Sequence, residues 1–137
     1  MKNKYYTPEI EECCLGFEFE QLYEDNWEKS VYSITHINLL SLSYKIKLNQ
    51  VRVKILDEQD ILDCGWNKEV NFYKKITKEE SLGEQGYALK LCKNCGSNIY
   101  VIVKYQWQEL EGSEKVVFKG KIRNKSEFKK ILTYVIV

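Results

Sequence analysis

The residues with the most chemistry to offer are Cys92-Lys93-Asn94-Cys95-Gly96. A Cys-x-x-Cys-Gly turn is the shape of one half of a zinc ribbon, in which two thiolates converge on one ion. Tetrahedral zinc needs two more ligands, and no second Cys-x-x-Cys occurs in the chain. Cys13, Cys14, Cys64 and the only histidine, His36, are the other candidates, and none is paired at metal-ligand spacing. A redox reading needs the first Cys at the start of a helix, where its pKa is lowered, whereas a strand pattern follows here. The expectation is no metal and no cofactor. Cys92 and Cys95 are then free thiols in a hairpin turn, with a metal site at that pair as the lesser alternative.

A second constellation is electrostatic. Tyr44, Ile46 and Leu48 alternate with Lys45 and Lys47, and Val51, Val53 and Ile55 alternate with Arg52 and Lys54. The apolar phase flips across Asn49-Gln50, which a two-residue hairpin turn would restore and a bulge could also produce. In such a hairpin Lys47 faces Arg52 and Lys45 faces Lys54, and like charges directly opposite destabilise a ladder. Acids from residues 9–28 could offset that repulsion. So could an anionic ligand such as nucleotide phosphates, nucleic acid or an acidic protein surface. Lys45, Lys47, Arg52 and Lys54 are therefore the candidate anion-binding residues.

Catalytic signals are missing. His36 stands in Thr35-His36-Ile37 without a nucleophile elbow, and neither a Gly-rich phosphate loop nor His-Glu-x-x-His occurs. The chain reads as not an enzyme. A net charge of +1 also disfavours a dedicated nucleic-acid binder, although nucleic acid stays among the partners the basic residues could meet.

The elements that must position these residues follow from pattern. With 137 residues, 44% hydrophobic, 7 Gly and 1 Pro, the chain fits one globular domain, 1–137, large enough to need no staple. Leu15 to Glu20 and Trp27 to Ile34 read as strands, and residues 35–43 fit either period. Asp57 can cap a helix that Gly65 stops, with Leu56 and Ile61 as a staple. Val70 to Ile76, Tyr87 to Cys92, the alternation Ile99, Val101, Val103, Tyr105, Trp107, and Val116 to Arg123 are further strands. A turn is expected at Glu111-Gly112-Ser113. Asn124 and Glu127 open a last helix whose Phe128, Ile131, Leu132 and Val135 share a face. The sum is α+β: a mostly antiparallel sheet of six to eight strands with two short helices, the C-terminal one packed on the sheet. Residues 9–28 hold eight acids and no base, whereas 115–130 hold seven bases and one acid; the favoured expectation is that the two segments are neighbouring strands, and the alternative is that they mark a charged partner. No apolar stretch approaches the length of a membrane span, and the five Cys form no framework. The expected address is the cytoplasm of a bacterial host.

Tyr5-Tyr6-Thr7-Pro8-Glu9-Ile10-Glu11-Glu12 and Gly16-Phe17-Glu18-Phe19-Glu20 resemble the opening of short uncharacterised proteins of Bacteroidetes bacteria and of their phages and prophages. Val51 to Leu56, Ile61 to Trp66 and Phe118 to Glu127 are similar to later phrases of the same proteins. The resemblance implies a context, a phage or prophage accessory protein, and carries no activity or site residue with it. The function expected is a non-catalytic binding module of phage or mobile-element type. It would occupy a host protein or sequester an anionic small molecule, and counter-defence is one form of that role. The alternative is a structural or assembly component of a phage particle. The eighteen aromatics fit either, since aromatic side chains dominate interface energetics. Oligomeric state is left open.

Overall fold

A computed structural model describes residues 4–32, 39–80, 83–108 and 111–136. In chain order the elements are β1 (Tyr5–Tyr6), a 3-10 turn (Ile10–Glu12), β2 (Glu18–Tyr23), β3 (Asn26–Val31), α1 (Leu39–Lys47), β4 (Val51–Lys54) and α2 (Glu58–Asp63). Then come β5 (Asn67–Lys68), β6 (Tyr73–Glu80), β7 (Gly83–Leu91), β8 (Ile99–Gln108), β9 (Glu111–Lys121) and α3 (Lys125–Val135). The class is α+β with antiparallel pairing, as expected, but the strands divide between two sheets. The backbone groups into two compact units. These are Met1–Leu56 with Asn124–Lys130, and Asp57–Arg123 with Ile131–Val137. No helix among the described residues is long and apolar enough to cross a membrane.

The first unit carries the four-stranded sheet, in the order β1-β4-β2-β3. Its β2–β3 hairpin turns through Glu24 and Asp25, both at positive φ (44° and 68°), the backbone a tight hairpin turn requires. Phe17, Phe19, Val51 and Val53 form a buried cluster, with Tyr6, Cys13, Tyr32, Leu42 and Ile46 packed against it. Leu42 and Ile46 lie one helical turn apart on α1.

That helix corrects the expected hairpin over residues 44–55. Tyr44, Ile46 and Leu48 alternate in sequence, yet Tyr44 and Leu48 are exposed and only Ile46 joins the core. Asn49, at φ 57°, is the helix stop rather than a hairpin turn. Its N–H donates to the Ile46 carbonyl at 3.0 Å, and the Gln50 N–H donates to the Lys45 carbonyl at 2.9 Å, the two bonds of a Schellman cap. Asn tolerates left-handed backbone in a hairpin and at a helix end alike, so the dipeptide fits both. Of the ambiguous stretch 35–43, residues 39–43 are helical; His36 lies outside the described residues.

Asn124, 3% exposed, organises the polar interior of this unit. Its carbonyl accepts the Glu127 N–H at 2.8 Å and so caps α3. Its amide donates to the Tyr6 hydroxyl at 2.7 Å, and that hydroxyl donates to Glu12 at 2.8 Å. The other Glu12 oxygen accepts the Glu9 N–H at 2.7 Å. Beside this network the Glu18 N–H donates to Ser126 Oγ at 2.9 Å, and Lys129 lies 3.7 Å from the Glu18 carboxylate. The acidic and basic segments therefore meet through a helix. They are not neighbouring strands, because β9 belongs to the other sheet.

The second unit is a five-stranded meander, β5-β6-β7-β8-β9. Register puts the buried Tyr87, Leu89, Tyr100 and Ile102 on one face, together with Tyr73 and Lys75. Helix α2 is tied to this face. The Tyr73 hydroxyl donates to Glu58 at 3.1 Å, and the Lys75 ammonium donates to the Cys64 carbonyl at 3.2 Å, where a cation suits the helix C-terminus. The helix is bounded as its sequence implies, by a capping box between Asp57 and Asp60 and by Gly65 at φ 88°. The expected turn at Glu111-Gly112-Ser113 is strand instead, paired with Gln108, Trp107 and Gln106.

On α3, Phe128 is fully buried and Ile131, Leu132 and Val135 are partly buried, whereas Lys129, Lys130, Thr133 and Tyr134 are exposed. Phe128→Ala is expected to cost about 3–5 kcal/mol, read as a lower urea midpoint. Tyr134→Ala on the exposed side should change stability by no more than about 0.5 kcal/mol.

Candidate functional site

The four bases singled out in the sequence do not assemble into one face. Arg52 on β4 is opposite Glu20 on β2, and its guanidinium is 3.1 Å from that carboxylate. The guanidinium also lies between two rings, 3.8 Å from the centroid of Tyr5 and 4.2 Å from that of Trp27, an arrangement with cation–π attraction on both sides. Its Nε is buried with no hydrogen-bond partner among the described residues. Lys54, two residues on, shares that sheet face and is opposite Tyr5. Lys45 belongs to the reverse side: its ammonium donates to Gln21 Oε1 at 3.0 Å and sits 5.5 Å from the Tyr23 ring, and Gln21 alternates with Glu20 along β2. Lys47 is exposed at the end of α1. The convergence expected of these residues depended on the hairpin, and a helix stands in its place.

Cys92 and Cys95 are joined as a disulfide, which corrects the reading of them as free thiols. The turn brings their Cα atoms to 5.5 Å, inside the span a disulfide bridges. Cys13, Cys14 and Cys64 remain thiols, and burial, followed by the charge of Glu12, pushes the Cys13 thiol up to about 11. Among the described residues no group of three or more His, Cys, Asp or Glu is arranged to hold a metal ion.

A different site stands out on the five-stranded sheet, on the face opposite α2. Strand β8 is apolar on both sides, because Tyr100 and Ile102 fill the face toward α2 while Val101, Val103, Tyr105 and Trp107 line the other. Each of the last two aromatics is paired across the ladder with a glycine: Tyr105 with Gly86 on β7, and Trp107 with Gly112 on β9. A Cβ on Gly86 would come within 3.0 Å of the Tyr105 hydroxyl and 2.3 Å of the Lys75 carbonyl. One on Gly112 would meet the Trp107 ring at 2.7 Å. The two rings thus lie down over the backbone that the glycines leave bare, with centroids 5.4 Å apart. Tyr105 is buried, whereas Trp107 is 52% exposed; Val116, opposite Val103 further along the same face, is 58% exposed.

Acids surround this platform. The Tyr105 hydroxyl donates to Glu84 at 2.8 Å, and Lys74 bridges Glu84 at 3.3 Å and Glu69 at 3.5 Å. Glu79 is opposite Glu84 on the same face, and Glu114 is opposite Tyr105. Burial, then the hydrogen bond to Glu84, then the charges of Glu84, Glu69 and Glu79 push the Tyr105 phenol well above its ordinary range. The Tyr105 hydrogen bond, and after it Lys74, hold the Glu84 carboxyl below the usual carboxylate range. The site offers a fixed aromatic surface in a negative field.

Sequence reasoning missed this site although its residues were in view. The alternation of β8 puts Tyr105 and Trp107 on one face, and isolated glycines inside strand patterns mark close approach. Which glycine faces which ring is a matter of register between distant segments. The chain matches no protein-family model, no curated protein and no solved structure.

Tyr105→Phe removes the donor to Glu84, and a hydrogen bond to a charged group contributes about 1.5–3 kcal/mol. The Glu84 pKa is depressed in the folded state, so its contribution is present above the unfolded carboxylate value and lost as pH falls through the folded value. The expected result is a loss of about 1–3 kcal/mol at pH 7 that shrinks steadily below about pH 4, measured by denaturation at both pH values.

Proposed function

We propose that the protein is a non-catalytic binding module that acts by occupying another protein, and that its contact surface is the acid-ringed platform of Tyr105 and Trp107. The observation that carries this reading is the exposed Trp107 ring, seated across Gly112 with its centroid 5.4 Å from that of Tyr105. A large aromatic held in place by its own sheet loses little entropy on binding, which is the profile of an interface anchor. The acids Glu69, Glu79, Glu84 and Glu114 outnumber Lys74, so the partner that fits presents a basic segment. Its Lys or Arg can stack on Trp107 while its charge faces the carboxylates. The phage or mobile-element setting is supported by the sequence phrases given above, and a host protein is the partner proposed for that setting.

The test is a titration of the full chain with an Arg/Lys-rich peptide and with an acidic peptide of equal length, followed by tryptophan fluorescence and calorimetry. The basic peptide should bind and weaken with salt, and the acidic one should not. Trp107→Ala, with an unchanged circular dichroism spectrum, should weaken binding by about tenfold or more. Equal affinity for both peptides, or no effect of Trp107→Ala, would refute the assignment.

A further inference from the structure

We infer that Cys92–Cys95 is a reversible thiol–disulfide exchange site, open to low-molecular-weight thiols, and that Cys95 is the sulfur they attack. The first ground is that the fold does not need this bond. The β7–β8 ladder runs to the pair Leu91 and Tyr100, and the Cys92 N–H then donates to the Ile99 carbonyl at 2.8 Å. On the other side of the turn the Ile122 N–H donates to the Asn98 carbonyl at 3.0 Å. Both ends of the turn are therefore pinned by backbone hydrogen bonds, inside which the disulfide spans a sequence separation of only 3. The stabilisation a disulfide gives by restraining the unfolded chain grows with loop length, so this one contributes about as little as a disulfide can.

The second ground is access. Lys93, Asn94, Cys95, Gly96 and Ser97 are all exposed, whereas Cys92 is half-buried at the strand end. An incoming thiolate reaches Cys95 more readily than Cys92. The third ground is charge. Lys93 stands within the turn, and Lys121 is opposite Ile99 at the adjoining end of β9. A cationic surround favours thiolate over thiol and so favours release of the leaving sulfur. No helix begins at this turn, so the positive field comes from lysines alone.

The step balances as ordinary exchange. A thiolate RS⁻ attacks Cys95 Sγ, an S–S bond forms between them, the Cys92–Cys95 bond breaks, and Cys92 leaves as the thiolate. A second RS⁻ attacks the RS sulfur of the mixed disulfide, giving RSSR and a Cys95 thiolate. Two RSH are oxidised to RSSR, and one protein disulfide is reduced to two thiols.

Glutathione is the probe. The folded full-length chain is equilibrated in buffers of varied reduced-to-oxidised glutathione ratio, quenched in acid, alkylated, and analysed by intact mass and peptide mapping. Two alkylated cysteines should appear and disappear reversibly at positions 92 and 95, with the circular dichroism spectrum unchanged. Cys92→Ser should capture glutathione on Cys95 about tenfold or more faster than Cys95→Ser captures it on Cys92. A pair that stays oxidised until urea unfolds the protein would overturn the inference. So would reduction, or either Ser variant, that collapses the fold. Equal capture by the two variants would remove Cys95 as the attacked sulfur.

Discussion

The buried Asn124 side chain is the constraint on which the first unit depends. One amide caps the last helix, holds the Tyr6 hydroxyl and, through it, fixes the Glu12 carboxylate that closes the 3-10 turn. Residues separated by 118 positions in sequence are thereby joined in a single polar network. A buried network of this kind stabilises only when every member is satisfied, and here each group meets a partner at 2.7–2.8 Å. The apolar cluster of Phe17, Phe19, Val51 and Val53 supplies burial, and the Asn124 network supplies the geometry that burial alone leaves loose.

The second unit uses a different device. Its meander is held by long antiparallel ladders, and the face opposite α2 is shaped by what the glycines omit. Gly86 and Gly112 have no side chains to compete for the surface, so Tyr105 and Trp107 cover the backbone there and arrive at fixed positions. Glu84 then serves two neighbours, accepting from Tyr105 and pairing with Lys74, which orders the acid field beside the exposed indole. The Arg52 sandwich in the first unit has the same ingredients, aromatic rings with an ion pair, in the opposite sense. There the cation is enclosed between Tyr5 and Trp27 and neutralised by Glu20. One arrangement consumes its charge internally and the other leaves its ring outward.

Local rules carried the sequence reading where the answer was local. Asp57, Gly65 and the Asn124–Glu127 pair mark helix ends because capping is chemistry within four residues. The β8 alternation and the α3 apolar face follow from the period of each element. The reading went astray where two local answers were equally good. Lys45 and Lys47 alternate with apolar residues as in a strand, yet Leu42 and Ile46 supply the helical spacing, and only the cluster they join decides between them. The free-thiol reading of Cys92 and Cys95 went astray because residue types do not give the distance that their turn imposes. The strand order β1-β4-β2-β3 and the pairing of Tyr105 with Gly86 depend on segments meeting across long separations, which residue types do not encode one at a time. The platform was hidden for that reason, since each of its residues is unremarkable until the register is known.

The first unit is discontinuous: residues 124–130 return to it after the whole of 57–123 has intervened. Emergence from the ribosome therefore imposes an order. The meander's strands each pair with the next in sequence, a low-separation topology that can organise as soon as its own residues are out. The earlier-made unit must wait for the cap and first turn of α3 to supply Asn124 and Ser126. Residues up to 56 are thus made well before the segment that completes their unit, and residues 131–137 return to the other unit later still. A chain interrupted anywhere before residue 124 leaves Tyr6 without its amide donor and Glu18 without its serine acceptor. Once β4 has been made, such a truncated product carries all four strands of the first sheet but lacks the helix whose first turn bonds to them.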